Sequence, residues 1–141
     1  MFFTPWHGIL YSGYFFSTGT ILGITFWNRQ VQRDSFSAAI PLGYGCALIG
    51  AALFVVGGIG DMLWHENLGI EMGIEALLSP THLILAFGGF LIIIANVRAW
   101  MLASVPDATP HLTDQIPVLF SAAAGLAVTT FFTQFSHYVT V

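Results

Sequence analysis

Four apolar runs, each about as long as a bilayer core is thick, divide this chain at residues of about 5–27, 39–64, 80–101 and 116–138. A hydrocarbon core of ~30 Å takes ~20 helical residues, and a helix satisfies its own backbone groups where no water can. The runs therefore predict an all-α membrane protein with four transmembrane helices, residues 1–141 forming a single transmembrane domain. Composition points the same way. With 56% hydrophobic residues, 7% charged residues and a mean hydropathy of +0.81, too little polar surface exists to cover a soluble globule. The only cations are Arg29, Arg33 and Arg98, which excludes a nucleic-acid partner. Cys46 is the single cysteine and lies in an apolar run, so neither a disulfide framework nor a thiolate cluster can be built. The first run carries no cationic flank and no small-residue cleavage signal, so it reads as a retained helix.

The borders of the runs carry helix-start chemistry. Thr4 and Ser79 each precede a proline, Pro5 and Pro80, the pattern of an N-cap followed by proline at the first helical position. Gly19-x-x-x-Gly23 in the first run has the spacing of close helix approach in lipid. The second run holds Gly43, Gly45, Gly50, Gly57, Gly58 and Gly60, which suit either tight backbone packing or room for a flat cofactor or lipid. Residues 65–79 are expected as an interfacial loop, where Glu71 and Glu75 opposite Ile70 and Ile74 predict a short amphipathic helix on the membrane surface. Residues 106–111, rich in proline and small polar side chains, form a turn-rich link.

Sidedness follows from the arginines. Arg29 and Arg33 mark the first link as cytoplasmic, and Arg98 falls on the same side if the third helix runs inward. The N- and C-termini and the 65–79 loop are then on the outer face, with His7, His65, His82 and His137, and only His111 is inside. An internal repeat gives the same topology. Thr4 to Phe15 aligns without gaps on Ser79 to Phe90, an offset of 75 residues that keeps Pro, His, Ile, Leu, Gly and Phe in register. Two helices per unit bring the chain back to its starting side, so the units are expected as parallel helix-pair repeats.

Chemistry concentrates where the second run ends and the third begins. Asp61 and His65 are four apart and share a helix face, and His82 stands in the first turn of the next helix. A carboxylate one turn inside an apolar helix end is costly unless paired or hydrated, and such residues are functional by default. Imidazole and carboxylate are natural ligands of copper and zinc, and the positive end of a helix dipole keeps a first-turn imidazole neutral and ready for a metal. Asp61, His65 and His82 are therefore the expected metal ligands, with His7, His137 and Glu66 as further ligands or orienting groups. Taken singly, His7 and His82 have a plainer role, satisfying backbone groups at a helix end. Two other functions fit the same residues: a tetrapyrrole, haem or chlorophyll, held by axial histidines, or a structural subunit that meets other membrane subunits and lipid through its aromatic and glycine-rich faces, as around Trp6, Tyr11, Tyr14, Phe15 and Phe16. Mid-depth charges that would mark a transport pathway are absent, as is a phosphate loop or a nucleophile with a base.

Asp61-x-x-x-His65, a connecting segment and Ser79-Pro80-x-His82 opening the next helix together resemble the metal-binding segment of the C subunit of the copper membrane monooxygenases, the particulate methane and ammonia monooxygenase family. That resemblance implies a copper or zinc site within the membrane, with Asp61, His65 and His82 as the ligands. It covers about 30 residues, its connecting segment is longer here, and it does not extend to monooxygenase activity, whose other subunits' residues this chain lacks. The whole chain also resembles longer multi-pass bacterial membrane proteins, which implies a bacterial-type inner or plasma membrane.

Overall fold

The structure, a computed structural model, describes residues 4–33, 35–69, 78–103 and 111–133. Among them all regular structure is helical: α1 Pro5–Gln32, α2 Phe36–Ala39, α3 Gly45–Leu68, α4 Pro80–Ile93, α5 Ala95–Ala103 and α6 Leu112–Thr133. Four stretches, Pro5–Gln32, Gly45–Asn67, Pro80–Ala103 and Leu112–Thr130, are long and apolar enough to cross a membrane. The chain is thus a multi-pass membrane protein by the length and composition of its helices.

Local chemistry explains most of the boundaries. α1 runs past Trp27 to Gln32 and stops where Arg33 takes a left-handed conformation, φ 55°. The second span starts at Gly45 and not at residue 39, because Pro41 lacks a donor and Gly43 turns at φ 87°. The chain between forms only the single turn of α2, tied to α1 by the Asn28 side chain, which donates to the Ala39 carbonyl at 3.1 Å. α3 continues through His65 to Leu68, so His65 and Glu66 belong to the helix and not to the following loop. The expected amphipathic segment with Glu71 and Glu75 lies outside the described residues, as do the link at 106–110 and His137.

The third span is interrupted at Ile94, between α4 and α5. There Ser121 of α6 donates its hydroxyl to the Ile93 carbonyl, drawing that acceptor towards a side chain from a neighbouring helix. The backbone still bridges the break, with Ile94 N–H to Phe90 O at 2.9 Å and Arg98 N–H to Ile94 O at 3.0 Å.

α3 and α4 pack antiparallel and make the principal interface of the molecule. Glycine decides how closely they approach. A Cβ on Gly50 would stand 2.5 Å from the Gly88 carbonyl oxygen, and one on Gly88 would stand 2.7 Å from the Gly50 oxygen and 2.9 Å from Phe54 N. On Gly57 it would meet Leu85 N at 2.9 Å. Gly50 and Gly57 of the second run therefore serve close backbone contact, whereas a Cβ on Gly45 would meet nothing within 4 Å. Gly19 and Gly23 do not serve it: a Cβ on either would meet nothing within 4 Å, so the expected close approach at that pair is not made among the described residues.

α1 and α6 flank the hairpin more loosely. α1 leans on α3 through aromatic contacts, with Tyr14 stacked on Phe54 at 4.8 Å and its hydroxyl donating to the Ala51 carbonyl at 3.1 Å. At the far end Gly43 lies against Ala99, and Tyr44 donates its hydroxyl to Asn96. Arg29, Arg33 and Arg98 thus lie towards one end of the bundle, while the start of α1, the end of α3 and the start of α4 meet at the other.

Candidate metal centre

The two helix starts fold alike because they carry the same local sequence. Thr4 accepts the His7 backbone N–H at 3.4 Å and Ser79 accepts that of His82 at 3.3 Å, each hydroxyl capping a helix whose first residue is proline. The capping hydroxyl also meets the ring of the same histidine: Thr4 Oγ1 to His7 Nδ1 is 2.9 Å, and Ser79 Oγ to His82 Nδ1 is 2.8 Å. One motif, Ser/Thr-Pro-x-His, folds each imidazole back towards the membrane end of its own helix.

What differs is the company across the interface. Asp61 on α3 is 1% exposed. Its Oδ1 lies 3.5 Å from His65 Nε2, one turn on along the same helix, and 3.4 Å from His82 Nδ1 on α4. Thr81 donates its hydroxyl to the same oxygen at 3.2 Å. Gly60 makes room for this: a Cβ there would come within 3.0 Å of the Thr81 methyl. The ligand-capable atoms of Asp61, His65 and His82 all lie within 4.8 Å of one another, and the two imidazole rings meet edge-on, 5.9 Å between centroids.

These separations are informative. At 3.4 and 3.5 Å the carboxylate–imidazole contacts are longer than good N–H···O hydrogen bonds. They match the edge of a tetrahedron around an ion bound at ~2.0–2.2 Å, which is roughly 3.3–3.6 Å. His82 Nδ1 has a second partner in Ser79, and one lone pair cannot serve a hydroxyl proton and a cation together. An ion bound at that nitrogen would therefore release the serine.

Charge makes a second constraint. Among the described residues the ion-pair partners of Asp61 are the two imidazoles, and the arginines lie towards the opposite end. A buried carboxylate in an apolar bundle needs a compensating positive charge, which here is either a proton shared with an imidazole or a bound cation. Three protein ligands with N and O donors suit a transition metal that keeps one coordination position open.

Of the other expected ligands, His7 and Glu66 are not in this cluster, and His137 lies outside the described residues. His7 lies at the same end of the bundle but is held by its own cap and stacks on Tyr11, with centroids 6.2 Å apart. Glu66 is exposed on α3, and His111 is exposed before α6. Thr81 and Ser79 are site residues that the ligand pattern alone does not mark, although Ser79-Pro80-Thr81-His82 as a unit does. One groove, about 470 Å³, reaches the cluster through His82 and is lined also by Leu85 and Ala86 of α4 and Ala127 of α6. A second, about 560 Å³, lies between α1 and α3 beside Tyr11, Gly58 and Met62. Comparison with protein families, with curated proteins and with solved structures finds no match to this chain.

Proposed function

We propose that this chain is a multi-pass protein of a bacterial-type inner or plasma membrane that holds one copper or zinc ion through Asp61, His65 and His82, as a subunit of a membrane oxidoreductase. The observation that carries this reading is the burial of Asp61 to 1% exposure with two imidazole nitrogens at 3.4 and 3.5 Å and no arginine paired with it among the described residues. A divalent ion supplies the missing charge, and the donor set selects a borderline transition metal over calcium or magnesium. When bound, such an ion acts as a Lewis acid towards a ligand in its open position. The same three residues are the ones that the resemblance to the copper membrane monooxygenases marks as ligands.

The site belongs on the outer face in this reading, because the three arginines gather towards the other end of the bundle and cytoplasmic ends favour arginine. The matching caps at Thr4 and Ser79 support two parallel helix-pair units. A haem or chlorophyll is served less well. A haem with two axial imidazoles takes them from opposite faces, whereas His65 and His82 converge on one carboxylate oxygen, and a haem or chlorophyll held by a single imidazole would leave Asp61 without a role.

Metal content measured by mass spectrometry on protein purified from its native membrane tests the proposal, alongside His65→Ala. Near-stoichiometric copper or zinc that is lost in the variant is the expected result. An intact protein with no metal above background removes the reading and leaves a structural or pigment-associated subunit of a larger membrane complex.

A further inference from the structure

All three ligands come from the α3–α4 hairpin, yet a fourth side chain reaches the same stripe from α1. Tyr11 projects onto α3 at Gly58. A Cβ on Gly58 would lie 3.3 Å from the Tyr11 hydroxyl and 3.6 Å from its ring, so the bare glycine is what admits the phenol. Gly58, Asp61 and His65 are spaced three and four residues apart and form one face of α3, with Gly58 about 4.5 Å below Asp61 along the helix. The ring of Tyr11 is fixed on two sides, edge-on to Phe54 at 6.3 Å and stacked with His7 at 6.2 Å. Its hydroxyl is not fixed. Tyr14, one turn along α1, gives its proton to the Ala51 carbonyl, whereas Tyr11 has no hydrogen-bond acceptor among the described residues. Tyr11 lines the groove between α1 and α3 that Gly58 and Met62 also line.

We infer that Tyr11 is a positioning residue for the exchangeable ligand of the metal centre, its phenol donating a hydrogen bond to a small oxygen or nitrogen species, such as water, hydroxide or a small anion, bound opposite the hairpin. The inference rests on the metal reading above. A donor held by ring packing but left without a protein acceptor, a turn from a three-ligand cluster, is arranged to serve something that comes and goes. Tyr11 shares its groove with Gly58 and Met62, the residues of α3 one turn before and next to Asp61. Packing alone accounts for the ring of Tyr11 but not for the hydroxyl, since phenylalanine would fill the same contacts with Phe54 and His7.

Cobalt(II) and azide test this, because cobalt in a histidine–carboxylate site reports its coordination in visible absorption. The full-length protein in detergent is loaded with cobalt, and azide is titrated into wild type, Tyr11→Phe and Gly58→Ala. Wild type and both variants are expected to take up one cobalt each. Azide should bind about tenfold more weakly to Tyr11→Phe, the effect of losing one hydrogen bond to a charged ligand. Gly58→Ala, which pushes the phenol aside, should show the same weakening with its tyrosine intact. Azide affinity and cobalt spectra unchanged from wild type in both variants would overturn the assignment of Tyr11 while leaving the metal site standing. Loss of cobalt from a helical Tyr11→Phe protein would also overturn it, by making the phenol a ligand or a support of the ligands. A wild-type protein that takes up no cobalt would remove the metal reading itself.

Discussion

The hydroxyl of Thr81 donates to the buried carboxylate of Asp61 at 3.2 Å, across the interface between α4 and α3. This bond joins the two helices that carry the candidate ligands and orients the one carboxylate among them. Thr81→Val keeps the shape and removes the donor. Orienting partners of this kind are worth about 10–100-fold in metal affinity, so the variant should bind zinc or copper about tenfold more weakly while still folding. Competition against a chelator of known affinity measures it, and an unchanged affinity would show that the carboxylate is held by packing alone.

Asp61→Asn separates the charge from the shape. The amide fits the same space and can still accept from Thr81, but it brings no negative charge to a cation. Metal affinity should fall by about a hundredfold or more, leaving two neutral imidazoles as ligands. The metal-free variant should be at least as stable as wild type, because the buried amide, unlike the carboxylate, needs no compensating positive charge. Thermal unfolding in detergent with and without metal checks both. A variant that retains wild-type affinity would place the ion elsewhere.

Gly88→Ala tests the packing that brings the helices together. The new Cβ would meet the Gly50 oxygen at 2.7 Å and Phe54 N at 2.9 Å, both backbone atoms with no freedom to step aside. The hairpin must open, costing about 1–3 kcal/mol, and metal uptake should fall although no ligand has been touched. Gly19→Ala, where the Cβ meets nothing within 4 Å, is the matched control and should change neither.

The paired caps offer a fourth test. Ser79→Ala and Thr4→Ala each remove an N-cap, and each should lower stability by about 1 kcal/mol. Both should still take up one metal ion, since the serine on His82 Nδ1 competes with an ion for that nitrogen and does not support it. Loss of uptake in Ser79→Ala alone would mean that the serine orients the bound form of the ring. Uptake and melting temperature, read on both variants, decide between these outcomes.

The all-helical class and the number of spans were legible in the four apolar runs, because a bilayer fixes the length and polarity of whatever crosses it. The Ser/Thr-Pro-x-His starts were equally legible, since an N-cap and a proline act within one turn of chain. The spacing of Asp61 and His65 predicted a shared face only if the helix persisted, and α3 does run through both to Leu68. Less was legible at the breaks. Pro41 and Gly43 delay the second span locally, but the turn they make is seated against Ala99, and the interruption at Ile94 coincides with a hydroxyl reaching over from α6. No local pattern contains either contact.

Sequence alone determined that a carboxylate and several histidines would lie at the ends of membrane helices. Tertiary structure decided which of them meet. His7 and His82 carry the same cap and the same ring contact with it, yet of the two it is His82 that joins Asp61 and His65 in the cluster of the described residues. The reason is the glycine contact of Gly50 with Gly88, which draws α4 against α3 closely enough to set His82 and Thr81 beside the carboxylate, while bulky Tyr11, Tyr14 and Phe54 set the spacing of α1. Periodicity along a helix fixes which residues share a face. The distance between two faces is set by the side chains, or their absence, at the crossing.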